Sequence, residues 1–83
     1  MRLDKFLKIS RIIKRRTIAK NIALQNRIFI NNNVAKPSSV VKINDTIKII
    51  FFNKVLIIKV LKLANSFNKD DSKNMYKVIE EKY

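Results

Sequence analysis

The sequence predicts an α+β fold: two short N-terminal helices packed on a small, twisted, mainly antiparallel sheet, with a short C-terminal element. Three observations predict it. Apolar residues recur at helical spacing before residue 27, the period drops to two from Ile28 onward, and asparagine-bearing clusters punctuate the alternating runs. At 83 residues the chain has room for one small domain built on one core.

Residues 3–10 form the first expected helix. Leu3, Phe6 and Leu7 fall at i, i+3 and i+4, Asp4 and Lys8 lie outside that arc, and Ile9 is expected to pack on the next element. Residues 16–26 form the second, with Ile18 and Ile22 on an apolar side and Arg16 and Lys20 roughly opposite, a line that Arg27 continues. Ile28 to Asn31 alternate as a strand, Asn31-Asn32-Asn33 make the turn, and Val34 to Lys36 return. Pro37-Ser38-Ser39 reads as a loop and Asn44-Asp45 as a further turn. Ile47, Ile49 and Phe51 alternate in the next strand, Asn53-Lys54 stands at tight-hairpin spacing, and Val55 to Leu63 form a third long strand. Phe51, Phe52 and Phe67 are expected in the core or at its edge. Residues 65–71 read as a loop. A short helix is expected from Asp71 or Ser72, turning Met75, Tyr76 and Ile79 inward, with Val78 to Glu81 either continuing it or forming a strand. Residues 1–64 are expected to be the domain proper, and residues 65–83 an extension packed on it or trailing from it.

The composition excludes several chemistries. The chain has no His and no Cys, so imidazole and thiolate metal sites, disulfides and Cys–His or Ser–His–Asp catalysis are ruled out. It has no Gly, which removes the glycine-dependent phosphate cradles of nucleotide-binding enzymes. No cofactor is expected. Its longest apolar runs, at residues 49–52 and 55–58, are far short of the ~20 residues a membrane-spanning helix needs, so no membrane-spanning helix is expected.

Charge placement points to a polyanion. The net charge is +13, and all of it falls in residues 1–62, where 15 basic side chains face 2 acidic ones; residues 63–83 carry 4 of each. Ile, Lys and Asn, with A/T-rich codons, make up 38 of the 83 residues, which suggests an A/T-rich bacterial genome. Codon drift alone would spread lysine evenly, so the asymmetry carries the argument. That field suits RNA, DNA or an anionic membrane surface, and the expected binding face comprises Lys5, Arg11, Lys14, Arg15, Arg16 and Lys20, flanked by Lys36 and by Ser38 or Ser39. Arginine can fork onto two phosphate oxygens whereas lysine acts as a point charge, so Arg16 stands first among them. Asp4 is an acid in a basic field with no second carboxylate near it in sequence. It is expected to orient Arg11 or Arg15, or to cap the first helix, rather than to catalyse.

The ordered set Arg2-Leu3-Asp4-Lys5-Phe6-Leu7, Ser10-Arg11, Lys14, Arg16, Ala19, Ile28-Phe29-Ile30-Asn31, Lys36 and Asn44-Asp45 resembles the S-four RNA-binding domain, named for a small-subunit ribosomal protein. The resemblance covers about residues 1–52. Two family glycines are replaced by Asn32 and Asn44, both suited to positive φ. Chains of this size opening Met-Arg-Leu-Asp-Lys-Phe-Leu-Lys are similar to bacterial ribosome quality-control factors and to the fifteen-kilodalton ribosome-associated heat-shock proteins. The resemblance implies the alpha-L RNA-binding motif, RNA as the polyanion, Arg2 on the same RNA-binding face, and a non-catalytic, cytoplasmic factor. It also implies binding to rRNA and P-site peptidyl-tRNA on an obstructed large ribosomal subunit, with an alanine-tailing partner factor. A monomer with no membrane partner is expected. The alternatives are a heat-shock-type recycling role, or an RNA-binding piece of an RNA-modifying enzyme.

Overall fold

The computed structural model describes residues 1–63 and 74–83. In chain order the elements are α1 (Leu3–Ile9), α2 (Arg16–Leu24), β1 (Ile28–Ile30), β2 (Asn33–Val34), β3 (Thr46–Ile50), β4 (Val55–Val60) and β5 (Tyr76–Lys82). The five strands form one sheet in the order β2-β1-β3-β4-β5, and each neighbouring pair is antiparallel.

The alternation of β3 and β4 decides which face is the core. Ile47, Ile49, Leu56, Ile58 and Val60 are buried, and the residues between them are half-exposed. The buried phase shares one cluster with Leu3, Phe6 and Leu7 of α1 and Ala19 and Ala23 of α2. Both helices therefore cover the same face of the sheet.

The first helix is as expected: Leu3, Phe6 and Leu7 are fully buried, and Ile9 packs into the same core. The second is out of phase by one residue. Its buried side chains are Ala19 and Ala23, Ile22 is only partly buried, and Ile18 is 44% exposed. Two alanines on one stripe let the α2 backbone approach its neighbours closely; an isoleucine at either place would need more room than a close-packed interior leaves.

The strands differ from expectation at their ends. The β3–β4 turn closes with the Phe51 N–H donating to the Lys54 carbonyl at 2.8 Å, so its corner residues are Phe52 and Asn53 rather than Asn53 and Lys54. Phe52 is accordingly 97% exposed and not part of the core, while Phe51 is half-buried. The fourth strand stops at Val60, short of Leu63. Tyr76 to Lys82 form a strand and not a helix, because β4 needs a partner along its far edge. Met75 is fully buried as expected, but Ile79 is the extra residue of a register shift in β5 and is 51% exposed. The loop expected at 65–71, the start of the helix expected at Asp71 or Ser72, and Phe67 lie outside the described residues, as does the boundary expected between residues 64 and 65.

Asparagine does the work of glycine at the turns. Asn26, Asn31, Asn32 and Asn44 all have positive φ. Asn31 also joins two turns through its side chain: Nδ2 donates to Asp45 Oδ1 at 3.0 Å, and Oδ1 accepts from the Thr46 N–H at 2.9 Å.

Candidate RNA-binding face

The centre of the basic face is a carboxylate. Asp4 stands in the first turn of α1 with its side chain only 4% exposed. The reason it is buried there is the loop beneath it. The Leu3 and Asp4 N–H groups donate to the Ser39 and Pro37 carbonyls at 2.8 and 3.1 Å, and Arg2 bridges Val40 in antiparallel fashion. The start of α1 is thereby seated on the loop that carries Lys36, whose own N–H donates to Ser39 Oγ at 2.8 Å.

Two arginines fork onto Asp4. Arg2 donates from Nε to Oδ1 at 3.2 Å and from Nη2 to Oδ2 at 3.4 Å. Arg16, at the start of α2, donates from Nη2 to Oδ1 at 3.3 Å and sets Nε 3.3 Å from Oδ2. The Lys5 N–H adds a bond to Oδ1 at 2.8 Å. Burial by itself pushes the Asp4 carboxyl up. The hydrogen bond and charge of Arg16, the Lys5 N–H and the charge of Arg2 outweigh burial, and hold the carboxyl below its ordinary value. Asp4 is therefore an anion whose lone pairs are occupied by donors, not an acid or base with a proton to move.

This arrangement fixes the arginines without hiding them. Their side chains remain 52% and 44% exposed. A guanidinium has five N–H donors, and a fork uses two of them, which leaves donors on each arginine for a phosphate. The Asp4 partners are Arg2 and Arg16, where the sequence alone suggested Arg11 or Arg15 or a cap. The missed pairing joins residues twelve apart, beyond what any local spacing rule can see.

The remaining cations flank this centre. Lys5 and Arg2 line an open concavity of about 420 Å³ together with Met1 and Leu63. Lys14 and Arg15 are exposed in the connection before α2, and Lys20 is exposed one turn beyond Arg16. Arg11 follows α1 with φ at 64°, a left-handed conformation that costs a non-glycine residue roughly 1–2 kcal/mol. Arg15 occupies the N-cap of α2 with an extended backbone and no side-chain cap, so its first N–H groups face outward with the positive end of the helix dipole. Arg27 is structural. It donates from Nη2 to the Phe51 carbonyl at 2.9 Å, tying the end of α2 to the β3–β4 turn.

Two helices carrying an acid-locked arginine pair, laid on one face of a small antiparallel sheet, are the build of an S4-type domain. The chain belongs to the S4 domain family, whose model matches residues 1–47. It is 52% identical over 81 residues to the RQC P-site tRNA stabilizing factor of Streptococcus pneumoniae, covering 98% of this chain and 92% of that one. With the protein of the same name in Bacillus subtilis the identity is 49%, over 98% and 94% of the two chains. Among solved structures it is similar to the trimeric Vibrio cholerae Heat Shock Protein 15, with a TM-score of 0.85 and 26% identity over 94% of this chain and 80% of that one. The solution structure of hypothetical protein HP1423 gives a TM-score of 0.80 at 27% identity, over 96% and 98% of the two chains.

Proposed function

We propose that this protein is a non-catalytic RNA-binding factor of ribosome quality control. It binds rRNA and P-site peptidyl-tRNA on an obstructed large ribosomal subunit, and so supports alanine tailing of the stalled chain by a partner factor in the cytoplasm. The observation that carries the reading is the Arg2–Asp4–Arg16 arrangement, which holds two guanidinium groups in fixed register on an exposed basic face. Around that pair, Lys5, Arg11, Lys14, Arg15, Lys20 and Lys36 supply phosphate contacts, and Asp4 supplies orientation. A-form RNA is recognised largely by shape, phosphate and 2′-hydroxyl, and this face suits that mode. Near-complete mutual coverage with relatives named for P-site tRNA stabilisation favours this role over the recycling role of the heat-shock type.

The test is co-sedimentation of the purified protein with large subunits carrying peptidyl-tRNA. Arg16→Ala removes a forked, charge-assisted contact and should weaken binding roughly tenfold to a hundredfold. Arg16→Lys keeps charge but loses the fork and should fall between the two. Lys20→Ala should cost less than Arg16→Ala. If Arg16→Ala co-sediments like the wild type, the assigned face is wrong.

A further inference from the structure

The second face of the sheet carries lysines that no carboxylate among the described residues pairs. The strand register sets Thr46, Lys59 and Lys77 side by side across β3, β4 and β5. The adjacent row on the same face is Phe29, Lys48, Ile57 and Glu80. Lys59 and Lys77 are thus like charges directly opposite one another, an arrangement that weakens an antiparallel pair, and Lys48 stands diagonal to Lys59. Glu80 in this row is paired with Lys82 at 3.1 Å. Among the described residues no carboxylate pairs with Lys48, Lys59 or Lys77. The Lys48 ammonium instead lies 5.7 Å from the centroid of the Phe29 ring. Lysine is common in this chain, but drift toward lysine does not favour opposing two of them across a strand pair. Nothing among the described residues calls for that pairing, and together with Lys48 against Phe29 on the same face it is what a surface needs to take a phosphate chain and an unstacked base.

We propose that this outer face of the sheet is a second RNA-binding surface, suited to an unpaired RNA segment. Lys48, Lys59 and Lys77 receive its phosphates and Phe29 stacks against a base. The inference rests on the RNA-binding reading of the helical face and extends it. Because α1 and α2 lie on the other side of the sheet, one molecule would grip two RNA segments across a body only 21–28 Å wide.

The experiment uses the full chain with two labelled probes, a twelve-nucleotide oligouridylate and an RNA hairpin, followed by fluorescence anisotropy. The variants are Lys59→Gln with Lys77→Gln, and Arg16→Ala with Lys20→Ala. The lysine pair variant should weaken oligouridylate binding about tenfold and flatten its log–log salt slope by about 1.4, from ~0.7 per phosphate on single strands. It should leave hairpin binding within about twofold. It should also melt at a higher temperature than the wild type, since it removes a like-charge pair; a merely structural role for these lysines would lower it. Phe29→Leu should weaken oligouridylate about fivefold or more. Arg16→Ala with Lys20→Ala should show the reverse preference, and unlabelled hairpin should not displace oligouridylate from the wild type. Unchanged oligouridylate affinity and slope in the lysine pair variant, or full displacement by hairpin, overturns the proposal while the helical face stands. Tighter binding of polyglutamate than of oligouridylate also overturns it and makes the face a protein-docking surface. A wild type that binds neither RNA overturns the underlying reading as well.

Discussion

Replacing Asp4 by Asn separates two accounts of the basic face, because they predict opposite signs. If binding came from charge alone, Asp4→Asn would raise the net charge from +13 to +14 and tighten RNA binding. The structure predicts the reverse. The carboxylate receives forks from Arg2 and Arg16 and a bond from the Lys5 N–H. A neutral amide cannot accept both forks, so the arginines lose their register. Hydrogen bonds to charged groups contribute about 1.5–3 kcal/mol each at best. Both arginines are about half exposed, so solvent screening cuts the total, and a loss of about 1–2 kcal/mol of stability is expected at neutral pH. The pH dependence supplies a second signature. The folded carboxyl titrates below its ordinary value of 3.8, so its contribution is present above that value and is lost as pH falls through the depressed one. Urea melts from pH 7 down to pH 2 should show a gap between wild type and Asp4→Asn that is constant above about pH 5 and closes below 3.8. A variant of unchanged stability whose RNA affinity rises would refute the orienting role.

Three further outcomes are expected. Leu7→Ala should cost about 2–5 kcal/mol in urea melts, since Leu7 is fully buried, whereas Ile18→Ala should stay within about 1 kcal/mol because Ile18 is largely exposed. Asn44 has φ at 76°, so Asn44→Ala should cost about 1 kcal/mol in the same assay and Asn44→Gly should be close to neutral. Binding to a structured RNA should weaken steeply with salt, with a log–log slope of roughly −4 to −5 for about six phosphate contacts; a slope shallower than about −1.5 would refute the electrostatic account.

The parts of the fold that local chemistry decides were legible in the sequence. The Leu3, Phe6 and Leu7 stripe defined α1, and asparagines at the turns substituted for a missing glycine at recognisable places. What packing decides was not legible. An isoleucine is more apolar than an alanine, so hydropathy alone puts the stripe of α2 on Ile18 and Ile22; the close approach of the helix to its neighbours selects Ala19 and Ala23. Met75, Tyr76 and Ile79 fit a helical spacing as well as a strand, and only the free edge of β4 decides for the strand. The candidate face was legible as a basic cluster at the N-terminal end. Its centre was not, because Asp4 and Arg16 meet only once α1 and α2 pack against each other. The opposed lysines of the outer sheet face are not legible either, because strand alternation tells which residues share a face, while only the register tells which of them stand opposite.

The seating of α1 on the loop below it has a consequence for folding in time. Arg2 is bridged to Val40, and the Val41 N–H donates to the Met1 carbonyl at 2.8 Å. Closing the loop between Arg2 and Val40 costs roughly 3 kcal/mol plus a constant in chain entropy. Strand contacts downstream must offset that cost before the arginine pair takes its register. A chain emerging from a ribosome therefore exposes its most basic segment long before that segment has a shape. Until Val40 and the strands after it have joined, the segment is a flexible polycation that any nucleic acid can attract. The register of the arginine pair arrives only with the fold. Residues 1–27 excised as a peptide would keep more than half of the positive excess and lose the arrangement that aims it.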